Sequence, residues 1–229
     1  MFKTLLSLFK KSDTKPPQAV RKVQTPKPKP KVAPTRIGEL GEHKINLQLD
    51  QLPKECKALS DLLIPNPKSR TGYSQVDHLV ISPYGLFMIE TKNYQGEIKG
   101  GRQDQQWTVS NRYKMYNPLK QNYGHIKAVE SLLQDIAAVK FISMVSFTMR
   151  CRFSIDPELR KIQSDELVIY DVELSEFISR KLLRLKAETP EPSISPAQTQ
   201  AIYEHLLQAN ITDSEIRKLH VQRIKGGLL

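Results

Sequence analysis

The sequence predicts an α/β fold: a small mixed β-sheet flanked by helices on both faces. Three observations carry that expectation. "QVDHLVIS" (75–82) and "LFMIETK" (86–92) are strand-length runs joined by "PYG", the pattern of an antiparallel hairpin. "KFISMVSFTM" (140–149) and "DELVIYD" (165–171) are apolar runs of the kind found in central strands covered on both sides. Segments with helical periodicity come before, between and after these runs, which places helices over the sheet.

Taken in order, "MFKTLLSLFKK" sets Phe2, Leu5, Leu6 and Phe9 at helical spacing, one short amphipathic turn or two. Residues 11–36 hold six prolines among many lysines, so neither helix nor sheet is expected there. We expect residues 1–36 to be a disordered basic arm, with the folded domain beginning near Ile37. "GELGEHKINLQLDQLP" reads as a turn and a helix with Ile45, Leu49 and Leu52 inward. "ALSDLLIP" follows as a strand, and "NPKSRTGYS" as a loop. After the hairpin, "GGRQDQQWTVSNRYKMY" reads as a more polar strand pair. "NPLKQNYGHIKAVESLLQDIA" is the clearest helix, with Pro118 at its start and Ile126, Val129, Leu132, Leu133 and Ile136 in phase. "VELSEFISRKLLRLK" is a further helix, and one or two more follow the linker "ETPEPSISPAQ". The expected organisation is an arm at 1–36, one domain at 37–188, and a linker with a helical appendage at 189–229.

Composition narrows the function classes. The chain has 229 residues, 39% hydrophobic, enough for a real core without staples. No apolar run approaches the roughly 20 residues of a membrane span. Cys56 and Cys151 lie far apart with no zinc-ligand spacing nearby, as expected for two reduced thiols in a cytoplasmic protein. The net charge of +11 is unevenly spread. Residues 1–36 carry ten Lys/Arg against one acid, leaving 25 against 23 in the remainder. The arm therefore suits phosphates of DNA, or an anionic membrane surface that would make the protein peripheral at the inner membrane face.

The hairpin carries the chemistry. Residues two apart in a strand share a face, so Met88, Glu90 and Lys92 point one way. A tight reversal through Pro83 to Gly85 can place Asp77 beside Glu90. Adjacent carboxylates repel, and a divalent cation removes the repulsion. Oxygen ligands of this kind favour Mg²⁺ or Mn²⁺. With Lys92 alongside, the set suits metal-assisted hydrolysis of a phosphodiester.

The pieces "GELGEHKI", "QVDHLVISPYGLFMIETKNYQGEIKG", the single Trp and "NPLKQNYGHI" resemble, in that order, the nuclease-related domain (NERD) family of the PD-(D/E)xK nuclease superfamily. The resemblance covers about residues 37–145. It implies a restriction-endonuclease-like core and metal-dependent cleavage of DNA, in a family found mostly in bacteria and archaea. It also implies roles by position: Glu42 as a first acidic residue, Asp77 as the hairpin aspartate, Glu90 and Lys92 as the Glu-x-Lys pair, and Gln121 as a polar residue near the start of the second helix. Metal ligation falls to Glu42, Asp77 and Glu90. Glu39 is the rival of Glu42 for the first place.

Other residues have two readings. His78 should face away from Asp77, into the core or the surface. His125, one turn after Gln121, either lines the cleft or does not reach it. Trp107 and Tyr113 close a core or stack on bases. Arg70, Lys99 and Arg102 are solvated loop charges or phosphate contacts. At the level of the whole protein, the alternative to a nuclease is a catalytically inactive module that binds nucleic acid or a membrane surface through its basic arm.

Overall fold

The computed structural model describes residues 44–226. The amphipathic start, the Lys/Pro-rich arm, Glu39 and Glu42 lie outside them. By contacts the chain divides into residues 1–32 and 33–229, and the fold below belongs to the second unit.

A helical segment at residues 44–49 (α1) leads into three antiparallel strands, β1 (Lys57–Pro65), β2 (Tyr73–Ser82) and β3 (Gly85–Lys92). Next come three short strands, β4 (Gly96–Gly100), β5 (Gln106–Val109) and β6 (Tyr113–Tyr116), and a helix, α2 (Pro118–Leu133). Strands β7 (Phe141–Phe147), β8 (Cys151–Ile155) and β9 (Glu166–Tyr170) precede α3 (Leu174–Glu188), α4 (Pro196–Ala209) and α5 (Ser214–Gly226). The main sheet runs β1-β2-β3-β7-β9, with β7 and β9 parallel to β3. It is the expected mixed sheet, with helices on both faces.

The sequence reading held one sheet; the structure has a second, in the order β6-β5-β4-β8. The expected polar pair is its β5–β6 hairpin. Strand β4 continues that hairpin and pairs in parallel with β8. Both β4 ("GEIKG") and β8 ("CRFSI") are only 5 residues long and half polar, so no periodic signal marks them.

The β2–β3 turn depends on Gly85, whose φ is +144°. A Cβ there would lie 2.7 Å from the Lys140 carbonyl oxygen, which accepts the Leu86 amide at 2.8 Å where β7 joins β3. Ser82 Oγ donates to the Gly85 carbonyl and closes the turn.

Alternation along the central strands produces two cores. Val80, Phe87, Ile89, Ile142, Met144, Leu167 and Ile169 face α1 and α3, meeting Ile45, Leu49, Leu174, Phe177 and Ile178. Leu79, Ile81, Leu86 and Met88 face α2 and α4, meeting Ala128, Val129, Leu133, Ile202 and Leu206. The C-terminal segment thus contributes Ile194, Ile202 and Leu206 to the second core. It is fastened to β1 as well: the Ile211 amide donates to the Leu63 carbonyl, and Asn210 Oδ1 accepts the Leu63 amide. A third core joins the second sheet to the first, with Ile98, Trp107, Val109 and Met115 against Leu119, Val145, Phe147 and Val168. Trp107 is fully buried and its Nε1 donates to the Gly101 carbonyl, so of its two readings the structure selects core closure. Both thiols are unpaired, and burial pushes each up to about 11. Among the described residues no helix is long and apolar enough to cross a membrane.

Helix α2 is placed by two asparagines. Asn117 caps it, accepting the Leu119 amide, and its own amide donates to the carbonyls of Arg102 and Asp104. Asn122, 1% exposed, donates to the Met88 carbonyl and to Ser143 Oγ, both at 2.9 Å, which ties the helix to β3 and β7.

Candidate active site

The site forms where β2 and β3 part. Their ladder ends at the pair His78–Ile89. One step further, Asp77 stands opposite Glu90, on the face that carries Leu79 and Met88 and is covered by α2. The Thr91 amide has no strand partner there, and Asp77 supplies one. Its Oδ2 accepts both the amide and the hydroxyl of Thr91, each at 2.7 Å. Among the described residues Oδ1 accepts no hydrogen bond.

Glu90 is 4% exposed. Its Oε1 accepts from Lys92 Nζ at 2.6 Å and from Gln121 Nε2 at 2.7 Å. Lys92 Nζ also donates to Gln121 Oε1 at 2.9 Å, which closes a three-membered ring of polar groups. The ring ties down one oxygen of Glu90 and leaves Oε2 facing the site. Near it, at 3.5 Å, is Nε2 of His125, one turn along α2 from Gln121.

The electrostatics follow from burial. Desolvation, helped by the charge of Asp77, raises the Glu90 carboxyl to about 7, although Lys92 and Gln121 pull it down. Burial lowers His125 to about 4, against the pull of Asp77 and with help from Lys92 and His220. At neutral pH His125 is an uncharged imidazole, and neither ring nitrogen has a hydrogen-bond partner among the described residues. His220, on α5, is also buried with both ring nitrogens unpartnered, and it packs edge-on against Tyr73.

Of the five residues singled out from the sequence, the structure gathers Asp77, Glu90, Lys92 and Gln121. Glu42 lies outside the described residues. Among the described residues no three His, Cys, Asp or Glu side chains form a group able to hold a metal. His78 points away, with Nδ1 2.8 Å from Ser60 Oγ. His125 reaches the cleft. Three cations read as phosphate contacts are otherwise engaged: Arg102 with Glu166 at 2.6 Å, Lys99 with Glu97 at 3.3 Å, and Arg70 with the Arg223 carbonyl at 3.2 Å. Sequence reasoning missed Thr91, Asn122 and His220. Thr91 was not legible, since alternation turns it to the face opposite Glu90 and Lys92; it meets Asp77 only because the β2–β3 ladder stops one residue earlier. Nor was His220, because no local pattern brings α5 to α2.

The buried Glu90 and the half-buried Lys92 two residues on, with Asp77 across the hairpin and Gln121 from the covering helix, form one acid–lysine cluster on a mixed-sheet domain. The family described as nuclease-related domain matches residues 37–148. An uncharacterised protein of Bacillus anthracis is 31% identical over 196 residues, covering 84% of this chain and 85% of its own. No solved structure matches. The chain belongs to the nuclease-related domain (NERD) family.

Proposed function

We propose that this protein is a divalent-metal-dependent nuclease that hydrolyses phosphodiester bonds of DNA. The observation that carries the reading is the ring Glu90–Lys92–Gln121, which fixes one carboxylate oxygen of Glu90 while Asp77, across the hairpin, acts on the same carboxylate through its charge.

The donor set fits a hard cation. Asp77 Oδ1 and Glu90 Oε2 are the oxygens left without hydrogen-bond donors among the described residues. The half-buried Asp77 and the buried Glu90 repel unless one is protonated or a cation lies between them. Mg²⁺ or Mn²⁺ would be held by Asp77 and Glu90, with Glu42 as the third carboxylate. Bound there, such an ion supplies positive charge to phosphate oxygens and lowers the pKa of a coordinated water.

The chain's own groups do the rest. Lys92, held by Glu90 and Gln121, would offer its remaining N–H donor to the attacking water or to charge developing on phosphorus-bound oxygen. Gln121 holds Lys92 and Glu90 in register, so that neither has to reorganise during reaction. Neutral His125 keeps the wall by Glu90 Oε2 free of positive charge, so it does not compete with the cation.

The test couples binding to cleavage. Calorimetric titration of Mn²⁺ should give one saturable site that Asp77→Asn removes. Labelled DNA should be cut with Mg²⁺ or Mn²⁺, not with chelator, and not by Asp77→Asn or Lys92→Gln. Cutting by both variants at the parent rate refutes the site. A folded parent that binds no divalent ion leaves the non-catalytic binding module as the answer.

A further inference from the structure

Helix α2 turns two different faces outward, and only one belongs to the site just described. Gln121 and His125 look toward Glu90. On the far side, Tyr123 and Lys127 are exposed, Lys120 is half-buried, and Lys127 Nζ lies 5.5 Å from the Tyr123 ring. Strand β6, directly before the helix, adds Tyr116, 55% exposed, with Lys114 on the same face, while Tyr113, 69% exposed, lies at the edge of the opposite face. From residue 105 to residue 129 the chain has four Lys/Arg and no acid. Glu130, Asp165 and Glu166 line the cleft beside Tyr123 and Lys127, but each is paired with a cation, Glu130 with Lys127, Asp165 with Lys140 and Lys181, Glu166 with Arg102; Arg112, Lys114 and Lys120 meet no carboxylate among the described residues.

Between the two faces stands Gly124. At about 100° per residue it is about 60° from Gln121 and about 40° from Lys120 around the helix. A glycine inside a helix is destabilising relative to alanine. No packing reason offsets this one: it is exposed, and an added Cβ would meet nothing within 4 Å. The helix is lowest and barest where a ligand would cross from the Tyr/Lys face to the site.

We infer that the outer face of α2 and strand β6 form a track for single-stranded DNA that crosses the helix at Gly124 to reach Glu90 and Lys92. The inference rests on the nuclease reading and names the form of its substrate. Unpaired bases stack on exposed tyrosine rings, while lysines follow the phosphates. Paired bases in a duplex offer no free faces to those rings.

The test is binding of a fluorescent oligothymidylate to the full chain in chelator, at about 0.3 M salt, where the contribution of a basic arm is suppressed. Gly124→Ala should raise the melting temperature, because the backbone is helical and the space is open. Gly124→Leu should stay folded and bind the single strand at least fivefold more weakly, as should Tyr123→Ala. A duplex of the same length should bind more weakly than the single strand and be indifferent to Tyr123→Ala. Parent-like single-strand affinity in both Gly124→Leu and Tyr123→Ala overturns the track, as does a duplex preference. Binding without metal is independent of cleavage: loss of the track leaves metal-dependent cutting intact as a result, and absence of cutting leaves the binding losses to stand or fall by themselves.

Discussion

Asp77 divides its carboxylate between two neighbours' needs: Oδ2 takes both hydrogen-bond donors of Thr91 at 2.7 Å, and Oδ1 is left to the cleft. The same side chain therefore seals the end of the β2–β3 ladder and keeps one oxygen for the ligand role proposed above.

That double duty separates two substitutions. Asp77→Ala strands the Thr91 amide, a loss of about 1–3 kcal/mol. Asp77→Asn keeps an acceptor oxygen in place and removes the charge. Thermal unfolding should show Asp77→Ala clearly below the parent and Asp77→Asn close to it, while neither variant binds Mn²⁺.

Gln121 donates to Glu90 and accepts from Lys92, while Lys92 still bonds Glu90 directly without it. Gln121→Ala should fold like the parent and lose about 10–100-fold in metal affinity or cleavage, the usual range for a residue that orients a ligand. Gln121→Glu places a third carboxylate beside Glu90 and should be worse in metal-free protein than in metal-loaded protein. Parallel calorimetry of the two variants checks both statements.

Glu90 also sets the pH dependence. Its carboxyl is raised by burial and by Asp77 to about 7 in the folded protein, from an ordinary value of 4.5. The folded state thus holds this proton more tightly than the unfolded chain does. The stability it contributes is complete below about pH 4.5 and is lost as pH rises through about 7. Metal-free protein should gain from Glu90→Gln at pH 8 and not at pH 4.5, as read by denaturant unfolding. Because the cation needs the ionised form, its affinity should fall about tenfold per pH unit below 7, with close to one proton released per ion.

Asn122 holds α2 against the sheet through its amide bonds to Met88 and Ser143. Asn122→Leu leaves that carbonyl and hydroxyl buried without their donor and should destabilise by about 2–3 kcal/mol. Urea unfolding measures the loss. Cleavage by the fraction that remains folded should also drop, since Gln121 rides on the same turn.

Much of the site was legible because it rests on local periodicity. A two-residue reversal through Pro83 and Tyr84 fixes the pairing, and the pairing alone carries Asp77 to Glu90 and sets Lys92 on the same face. The spacing of Gln121 and His125 likewise commits both to one side of a helix, whatever that helix covers. The sequence also determined the two central strands and the proline and asparagine that start α2, since each depends on near neighbours.

Only the tertiary structure decided which side of the sheet α2 would cover, and so whether Gln121 would meet Glu90 at all. It decided that Trp107 is core, that β4 and β8 meet across some fifty residues of chain, and that His220 comes to stand near His125. These are outcomes of packing between distant segments. Burial rewards any apolar face that finds another, and the local pattern states which face is apolar without stating its partner.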